Sequence, residues 1–202
     1  MSVFKPTGTS DALIKACKPY ITTGKLLDLG CGCGIVGRSL LKDGLDVYAS
    51  DISPEATIKV GYPDEPIIVR TGSLFEPWEL WKFDFIVDDV SGVSEEVENP
   101  WFEGVPCESG KDGADLVCKV IEQAPKYLTE HGKLFFPIVS LSNGVRILQQ
   151  AKQSFKKVEL LSHTEFPLPK EMYNQTIDPE YIKERFGIKM FWSNIYMALN
   201  EK

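Results

Sequence analysis

The sequence contains no long hydrophobic run and no N-terminal segment of the kind that directs secretion. Residues 1–6 read Met-Ser-Val-Phe-Lys-Pro, and polar residues follow them rather than an apolar stretch. No apolar run approaches the ~20 residues that a helix needs to cross a bilayer. We therefore predict a chain that does not associate with membranes and works in the cytoplasm.

Positive charge, histidine and paired cysteine are also scarce. The 22 lysines and arginines are outnumbered by 29 aspartates and glutamates, which leaves a net charge of −7. A protein that holds nucleic acid through its phosphates normally has the opposite balance, so a nucleic-acid partner is disfavoured. There are two histidines, and the five cysteines lack the spacing of metal ligands. We predict no metal site and reduced thiols.

The 202 residues favour a single domain, in which strand-like and helix-like segments alternate. Such alternation is typical of an α/β protein with a parallel sheet. The predicted strands are 25–29, 46–50, 67–70, 83–87, 133–138, 157–161 and 191–199. Helices are predicted at 11–20, with Ser10 or Asp11 near the N-cap, at 35–43, after Ser53, at 112–129, at 143–155 and after Asp178.

Two segments between these elements are candidates for covering a substrate. The stretch 163–190 is rich in proline, glutamate and aromatic residues, and a simple connection between strands does not need so long an insert. The acidic segment 92–109 is either a solvated loop or a cap over the substrate. In the second case Trp101 is its candidate contact residue.

The strongest motif is Asp-Leu-Gly-Cys-Gly-Cys-Gly at 28–34, followed by Asp51 at the end of the next predicted strand. A strand, a glycine-rich turn, a helix and a second strand ending in an acid form a nucleotide-binding βαβ unit. Glycine lets the backbone approach a ligand closely. Asp28 would repel a pyrophosphate but attract the sulfonium and ammonium of S-adenosylmethionine, so we predict a methyl-donor site. The alternative is a nicotinamide site, because glycines 32, 34 and 37 also fit the dinucleotide pattern.

The segment 28–34 resembles the first motif of the class I S-adenosylmethionine-dependent methyltransferases. The resemblance implies a Rossmann-like, doubly wound, mostly parallel seven-stranded sheet whose last strand is antiparallel. It implies that S-adenosylmethionine is converted to S-adenosylhomocysteine, and that Asp51 binds the ribose hydroxyls. The residues implied at the donor are Asp28, Gly30, Cys31, Gly32, Gly34, Asp51, Ile52, Ser73, Leu74 and Asp88.

The segment Asp-Asp-Val-Ser-Gly at 88–92 partly resembles the branch that methylates protein glutamine or nucleobase nitrogens. That branch has Asn or Asp, two prolines and an aromatic residue after strand four. Asp89 falls at the acid position, whereas Val90 and Ser91 replace the prolines and Gly92 replaces the aromatic ring. The resemblance implies that Asp89 is catalytic and contacts the substrate, with the Val90 carbonyl as a second acceptor.

Segments 3–10 and 110–113 resemble the same branch, and the likeness fades after about residue 140. N-methylation of a protein side chain is therefore the leading hypothesis for function. The alternatives are a small-molecule methyltransferase, an RNA methyltransferase, and a catalytically silent partner subunit with the same fold. RNA is disfavoured because the chain is acidic and the stacking aromatic is missing. A monomer is the default expectation.

Overall fold

The computed structural model describes residues 6–61, 66–90, 92–97, 108–167, 171–172, 175–176 and 178–201. Its strands are β1 Gly24–Leu29, β2 Leu45–Asp51, β3 Ile67–Thr71, β4 Phe83–Asp88, β5 Leu128–Val139, β6 Lys157–Phe166, β7 Glu171–Met172, β8 Gln175–Thr176 and β9 Phe191–Leu199. Its helices are α1 Gly8–Cys17, α2 Ile35–Leu40, α3 Pro54–Val60, α4 Asp115–Gln123, α5 Gly144–Ser154 and α6 Pro179–Phe186.

Seven strands form one mixed sheet in the order β3-β2-β1-β4-β5-β9-β6. Strands β1 to β5 pair in parallel, and β9 runs antiparallel to both β5 and β6. The predicted Rossmann-like methyltransferase fold with an antiparallel last strand is confirmed. Because β2 and β4 flank β1, the strand order reverses there, and ligands bind at the carboxyl ends of strands beside such a reversal.

Side chains alternate between two hydrophobic cores, one on each face of the sheet. Leu26 of β1 belongs to a core that includes residues of α1 and α2, whereas Leu27 belongs to a core that includes residues of α4 and α5. Both leucines are fully buried, as expected for a central strand covered on two faces. The three-layer arrangement leaves the carboxyl ends of the strands available for a site. No helix in the described ranges is long and apolar enough to span a membrane.

Helix α1 begins earlier than predicted. Its N-cap is Thr7, not Ser10 or Asp11, because Thr7 and Ser10 form a capping box: the Thr7 hydroxyl accepts the Thr9 N–H at 3.2 Å, and the Ser10 hydroxyl accepts the Thr7 N–H at 3.4 Å. Helix α4 is shorter than the predicted 112–129. It passes into a 3₁₀ turn at Ala124–Lys126, since Pro125 cannot continue an α-helix.

Two strands, β5 and β6, are longer than predicted, whereas β9 between them has the predicted bounds. β5 begins at Leu128 and runs through Gly132, opposite an irregularity in the register of β4. β6 continues to Phe166, so the predicted insert 163–190 starts inside a strand. Within that insert, α6 begins after Asp178, whose carboxylate accepts the Glu180 N–H at 3.0 Å, as predicted. The assignment of 1–202 to one domain stays a prediction.

Candidate active site

The glycine-rich loop after β1 is held against the end of β2 by main-chain hydrogen bonds. The N–H groups of Gly30 and Cys31 donate to the Ser50 carbonyl at 2.9 and 3.0 Å. Gly30 has φ +77°, and a Cβ at this position would lie 2.8 Å from Cγ1 of Val90. Only glycine satisfies both the backbone conformation and this approach. The loop is thereby fixed between the ends of β2 and β4.

Asp28 is fully buried beneath this loop. Its Oδ2 accepts the Gly37 N–H at 2.8 Å, while its Oδ1 has no hydrogen-bond partner among the described residues. Burial raises the pKa of Asp28 to about 7; the Gly37 hydrogen bond opposes this, and the charges of Asp89 and Asp51 add to it. A buried carboxyl with an unsatisfied oxygen fits a site that receives a cation.

The hydrogen bond from the Gly37 N–H to Asp28 argues against the nicotinamide alternative. In a dinucleotide site the first turn of the helix after the glycine loop presents its N–H groups to a pyrophosphate. Here Gly37, the third glycine of that pattern, gives its N–H to a carboxylate, and a Cβ at Gly37 would lie 3.1 Å from Oδ2 of Asp28. Gly37 therefore permits the approach of Asp28, whose charge would oppose an anionic cofactor.

Asp51 lies at the end of β2 and connects two loops. Its Oδ2 accepts the Gly32 N–H at 2.9 Å, and its Oδ1 accepts the Ser53 N–H at 2.8 Å. A carboxylate oxygen can accept two hydrogen bonds, so each oxygen of Asp51 can still accept one from a hydroxyl group. The adjacent Ile52 is 51% exposed, although it is a large apolar residue beside a rigid loop. This arrangement fits a ribose next to a flat aromatic base.

The turn after β3 places Ser73 and Leu74 beside the end of β2. The Gly72 N–H donates to the Asp51 carbonyl at 3.0 Å, which connects the turn to the acid. Leu74 has φ +46°, a conformation that costs a residue with a Cβ on the order of 1 kcal/mol or more. Such strain is concentrated at functional sites, and here it falls on a residue predicted to contact adenine.

Two acids end β4, and the structure separates their environments. Asp88 is fully buried; its Oδ1 accepts the Val90 N–H at 3.1 Å, and burial raises its pKa well above the usual range. Asp89 is half-buried, and its main-chain N–H donates to the Leu29 carbonyl at 3.1 Å. Burial raises the pKa of Asp89 to about 7. Asp88 stabilises the turn after β4, whereas Asp89 is partly exposed and can contact a ligand.

Ser10 is a site residue that the sequence did not reveal as one. Its hydroxyl donates to Oδ2 of Asp89 at 2.9 Å, and this hydrogen bond lowers the pKa of Asp89 against the effect of burial. The sequence predicted Ser10 as a candidate helix cap and as part of segment 3–10, not as a partner of Asp89. The signal in the sequence is the pair Thr7 and Ser10 at capping-box spacing, but a partner 79 residues away leaves no local pattern.

Four carboxyl groups thus gather at the carboxyl ends of β1, β2 and β4: Asp28, Asp51, Asp88 and Asp89. In the described ranges, the hydrogen bonds to them come from main-chain N–H groups and one hydroxyl. Carboxyl groups without cationic partners repel one another, which is why the charge of Asp89 raises the pKa of both Asp28 and Asp88. A bound cation relieves this repulsion.

The remaining predicted residues are placed as follows. Cys31 is buried, and burial raises the pKa of its thiol. Gly34 has φ +80° and is the N-cap residue of α2. Val90 packs against Gly30 and the core beneath it. Trp101 lies outside the described residues. No group of three or more histidine, cysteine or acidic side chains suited to a metal occurs among the residues that the structure describes.

Segment 92–97, which follows Asp89 in the chain, is fixed by contacts with segments that are distant in sequence. The Ser94 hydroxyl donates to the Lys111 carbonyl at 2.7 Å, and the Glu95 N–H donates to the Gly110 carbonyl at 3.1 Å. Glu96 forms a bidentate pair with Arg185 of α6 at 2.7 Å for each hydrogen bond. Segment 92–97 is therefore connected both to the loop before α4 and to the insert.

Comparison with known proteins agrees with this geometry. The family model for the methyltransferase small domain matches residues 6–166. The chain belongs to this family. It is an S-adenosylmethionine-dependent methyltransferase, and its cofactor is S-adenosylmethionine, which RsmC, a structural neighbour, binds in its own crystal structure. No curated protein matches the methyltransferase chain.

Solved structures with the same fold come from enzymes with different acceptors. Mtq2 of E. cuniculi, solved with Trm112 and responsible for methylating the termination factor eRF1, is 13% identical, with 100% of both chains covered and a TM-score of 0.67. The ribosomal protein L11 methylase of Lactobacillus delbrueckii is 17% identical, covering 99% of this methyltransferase and 82% of that chain, with a TM-score of 0.61.

A third similar structure is that of an enzyme that methylates RNA. The 16S rRNA N2 G1207 methyltransferase RsmC of T. thermophilus, solved with AdoMet and guanosine, is 14% identical and has a TM-score of 0.63. The match covers 98% of the present methyltransferase but 44% of RsmC. The fold is therefore shared by enzymes that methylate proteins and RNA.

Proposed function

We propose that this methyltransferase N-methylates a protein side chain and that Asp89 holds the acceptor nitrogen. The observation that carries the proposal is the half-buried Asp89 carboxyl at the end of β4, with its main chain fixed on Leu29 and one oxygen bound by Ser10. The eRF1 and L11 enzymes, which share the fold, act on proteins. The acidic site without the stacking aromatic favours a protein nitrogen over a flipped base.

In the proposal the donor lies across the ends of β1 and β2. Asp51 accepts hydrogen bonds from the ribose hydroxyls, Ile52 packs on one face of the adenine, and Ser73 and Leu74 contact its edge. Gly30, Cys31, Gly32 and Gly34 border the methionine part. Asp28 and Asp88 lie beneath the loops, and both are fully buried, so their contribution is the charge and shape of the site rather than a broad contact surface.

The chemistry is an in-line displacement in which the acceptor nitrogen forms a bond to the methyl carbon as the carbon–sulfur bond breaks. S-Adenosylmethionine supplies the electrophilic methyl group and leaves as S-adenosylhomocysteine. Oδ1 of Asp89 and the Val90 carbonyl accept the N–H protons and aim the nitrogen. With its pKa near 7, Asp89 is suited to take up the proton that the nitrogen loses at neutral pH. Alignment and exclusion of water provide most of the acceleration.

The absence of the two prolines changes how the acceptor carbonyl is held. In this chain Val90 is kept in place by its N–H bond to Asp88 and by its contact with Gly30, instead of by a proline ring. A turn built this way is less rigid than one with two fixed φ angles. We expect Val90 to function as the second acceptor, and we expect the insert and Trp101 to complete the acceptor side.

The experiment that tests the proposal uses S-adenosylmethionine whose methyl group carries tritium. The enzyme and its Asp89→Ala variant are incubated with an extract of cells that lack the gene, and the product is digested with protease or with nuclease. We expect wild-type-dependent label that protease releases and nuclease does not. Nuclease-sensitive label indicates RNA methylation, and label in the small-molecule fraction indicates a small acceptor; either result refutes a protein substrate. Donor binding without any transfer favours the silent-partner alternative.

Two properties stay predictions within this proposal. Free thiols at Cys17, Cys31, Cys33 and Cys118 agree with a reducing compartment such as the cytoplasm. The methyltransferase is expected to be a monomer, although Mtq2 was solved together with Trm112. Sedimentation velocity of the purified chain tests whether it is a monomer.

A further inference from the structure

The contact between Ser10 and Asp89 connects the first helix to the proposed acceptor site. Ser10 is 1% exposed, and its Oγ lies 2.9 Å from Oδ2 of Asp89. The Ser10 Oγ also accepts the Thr7 N–H at 3.4 Å. A hydroxyl that accepts on one side directs its proton to the other, so the capping bond orients the Ser10 proton toward Asp89.

The turn that carries Ser10 is itself fixed to the far strands of the sheet. The Thr9 hydroxyl lies 3.0 Å from the Ser193 hydroxyl of β9. Gly8 lies directly against the ring of Phe166, and a Cβ on Gly8 would be 2.6 Å from two ring atoms. The turn is therefore held at β6 and β9 as well as at Asp89, and a shift of the Ser10 backbone away from Asp89 would disturb these contacts.

We propose that Ser10 is a positioning residue that sets the rotation of the Asp89 carboxyl group, so that Oδ2 is bound and Oδ1 faces the acceptor. The inference rests on the proposed function, in which Asp89 holds the acceptor nitrogen. The hydrogen bond from Ser10 to Oδ2 and that from the Asp89 N–H to Leu29 restrict the rotation of the carboxyl group. A side chain fixed in this way aligns a nitrogen better than one that rotates freely.

The ionisation of Asp89 reports on this contact. Among the residues that the structure describes, the charge of Asp89 raises the pKa of three groups on the surrounding elements: Asp28 of β1, Asp88 of β4 and Cys17 of α1. Burial raises the pKa of Asp89, whereas the hydrogen bond from Ser10 lowers it by stabilising the charged form. Removal of the hydroxyl should thus move the titration of Asp89 to higher pH.

The experiment is a titration of the full chain by ¹³C NMR, with label in the aspartate carboxyl carbons and with the Asp89 signal assigned from Asp89→Asn. In Ser10→Ala we expect the Asp89 midpoint to rise by about one pH unit, the effect of one hydrogen bond to a carboxylate. In Ser10→Thr, which keeps the hydroxyl, the midpoint should stay at the wild-type value. Ser10→Cys, with a weaker donor, should give a smaller rise and serves if Ser10→Ala does not fold.

Thr7→Ala is the matched control, because it weakens the same capping box but leaves the Ser10 side chain in place. We expect it to lower the melting temperature without moving the Asp89 midpoint. An unchanged midpoint in both Ser10→Ala and Ser10→Cys, or an equal shift in Thr7→Ala, overturns the positioning role. If the midpoints shift as expected but Asp89→Asn transfers methyl groups at the wild-type rate, the proposed function of Asp89 fails while its contact with Ser10 stands.

Discussion

The donor side and the acceptor side of the proposed site are built in different ways. On the donor side, Asp28 and Gly37 are nine residues apart, and Gly32 and Asp51 are nineteen apart. On the acceptor side, Ser10 reaches Asp89 across 79 residues, and Glu96 reaches Arg185 across 89. The donor side is a local βαβ motif, whereas the acceptor side is assembled from distant segments. A site built in this way can keep one cofactor while its acceptor changes.

The first prediction concerns the local packing of the donor side and has the largest expected effect. Gly30→Ala places a Cβ 2.8 Å from Val90 at φ +77°, so both strain and overlap act on the loop. We expect a loss of about 3 kcal/mol in the free energy of unfolding and at least a hundredfold weaker S-adenosylmethionine binding. Thermal melting and calorimetric titration measure the two quantities.

Gly187→Ala is a matched control for this change. Gly187 has φ +69°, but nothing lies within 4 Å of the position of its Cβ. The control therefore has the same backbone strain without the overlap, and we expect it to cost about 1 kcal/mol and leave donor binding unchanged. Equal effects of the two variants would show that close packing of the loop against Val90 is not required.

The second prediction concerns charge. Because the pKa of Asp28 is about 7, protons compete with a cationic ligand near neutral pH. We expect S-adenosylmethionine binding to weaken about fivefold to tenfold between pH 7.5 and pH 6, as the Asp28 carboxylate becomes protonated. S-Adenosylhomocysteine lacks the sulfonium charge and should show a smaller change. Calorimetric titrations with equal pH dependence for both ligands would contradict a role for this carboxylate in attracting the sulfonium.

The third prediction concerns the stability of the free protein. The pKa of Asp28 rises from 3.8 to about 7 on folding, so the folded state keeps a proton that the unfolded state has lost. The proton bound to Asp28 therefore stabilises the folded state. Its contribution to the free energy of unfolding is complete below about pH 4 and is lost as the pH rises through 7. Asp28→Asn should therefore be more stable than wild type by about 2 kcal/mol at pH 8, with little difference at pH 4.

Urea unfolding at the two pH values measures this difference. Asp46→Asn is the matched control, since Asp46 is an exposed acid on β2. We expect this surface substitution to change the free energy of unfolding by no more than about 0.5 kcal/mol. A variant Asp28→Asn that is less stable than wild type at pH 8 would show that the charged form of Asp28 stabilises the fold.

The fourth prediction concerns a long-range contact of the acceptor side and has the smallest expected effect. Glu96 and Arg185 are exposed by 41% and 51%, so solvent screens their attraction. Glu96→Gln or Arg185→Ala should lower the melting temperature by no more than about 2 °C. Melting temperatures of the two single variants and the double variant, measured in low and in high salt, test this prediction. A much larger loss would mean that this one pair, rather than many contacts together, holds the insert to segment 92–97.

The contrast between the two sides also explains what the sequence made predictable. The βαβ unit that contains Gly30, Asp28 and Asp51 was predictable because its glycines and acids have a typical spacing within one short segment, and the binding roles of these residues stay predictions. The strands of the sheet follow from apolar runs, and β9 was predicted with its bounds at 191–199. These features depend on neighbours in the chain, which the sequence displays directly.

The remaining features depend on the fold as a whole. The start of α1 was misplaced because three hydroxyl residues, at positions 7, 9 and 10, compete for the cap, and packing against Phe166 and Ser193 accompanies the observed choice. The extension of β6 to Phe166 arises from pairing with β9, not from its own pattern. The hydrogen bond between Ser10 and Asp89 is visible only once α1 and β4 lie side by side. Trp101 stays a prediction.

The most direct test of the central claim compares Asp51→Ala with Asp89→Ala in two assays, donor affinity by calorimetry and methyl transfer to the labelled acceptor fraction. Two lost hydrogen bonds to a charged group predict at least a hundredfold weaker S-adenosylmethionine binding in Asp51→Ala. Asp89→Ala should retain donor affinity within about threefold but lose at least a hundredfold in transfer rate at saturating donor. Asp46→Ala should change neither quantity. The opposite pattern, with Asp89→Ala defective in binding and Asp51→Ala defective only in transfer, would contradict the separation of the two sides.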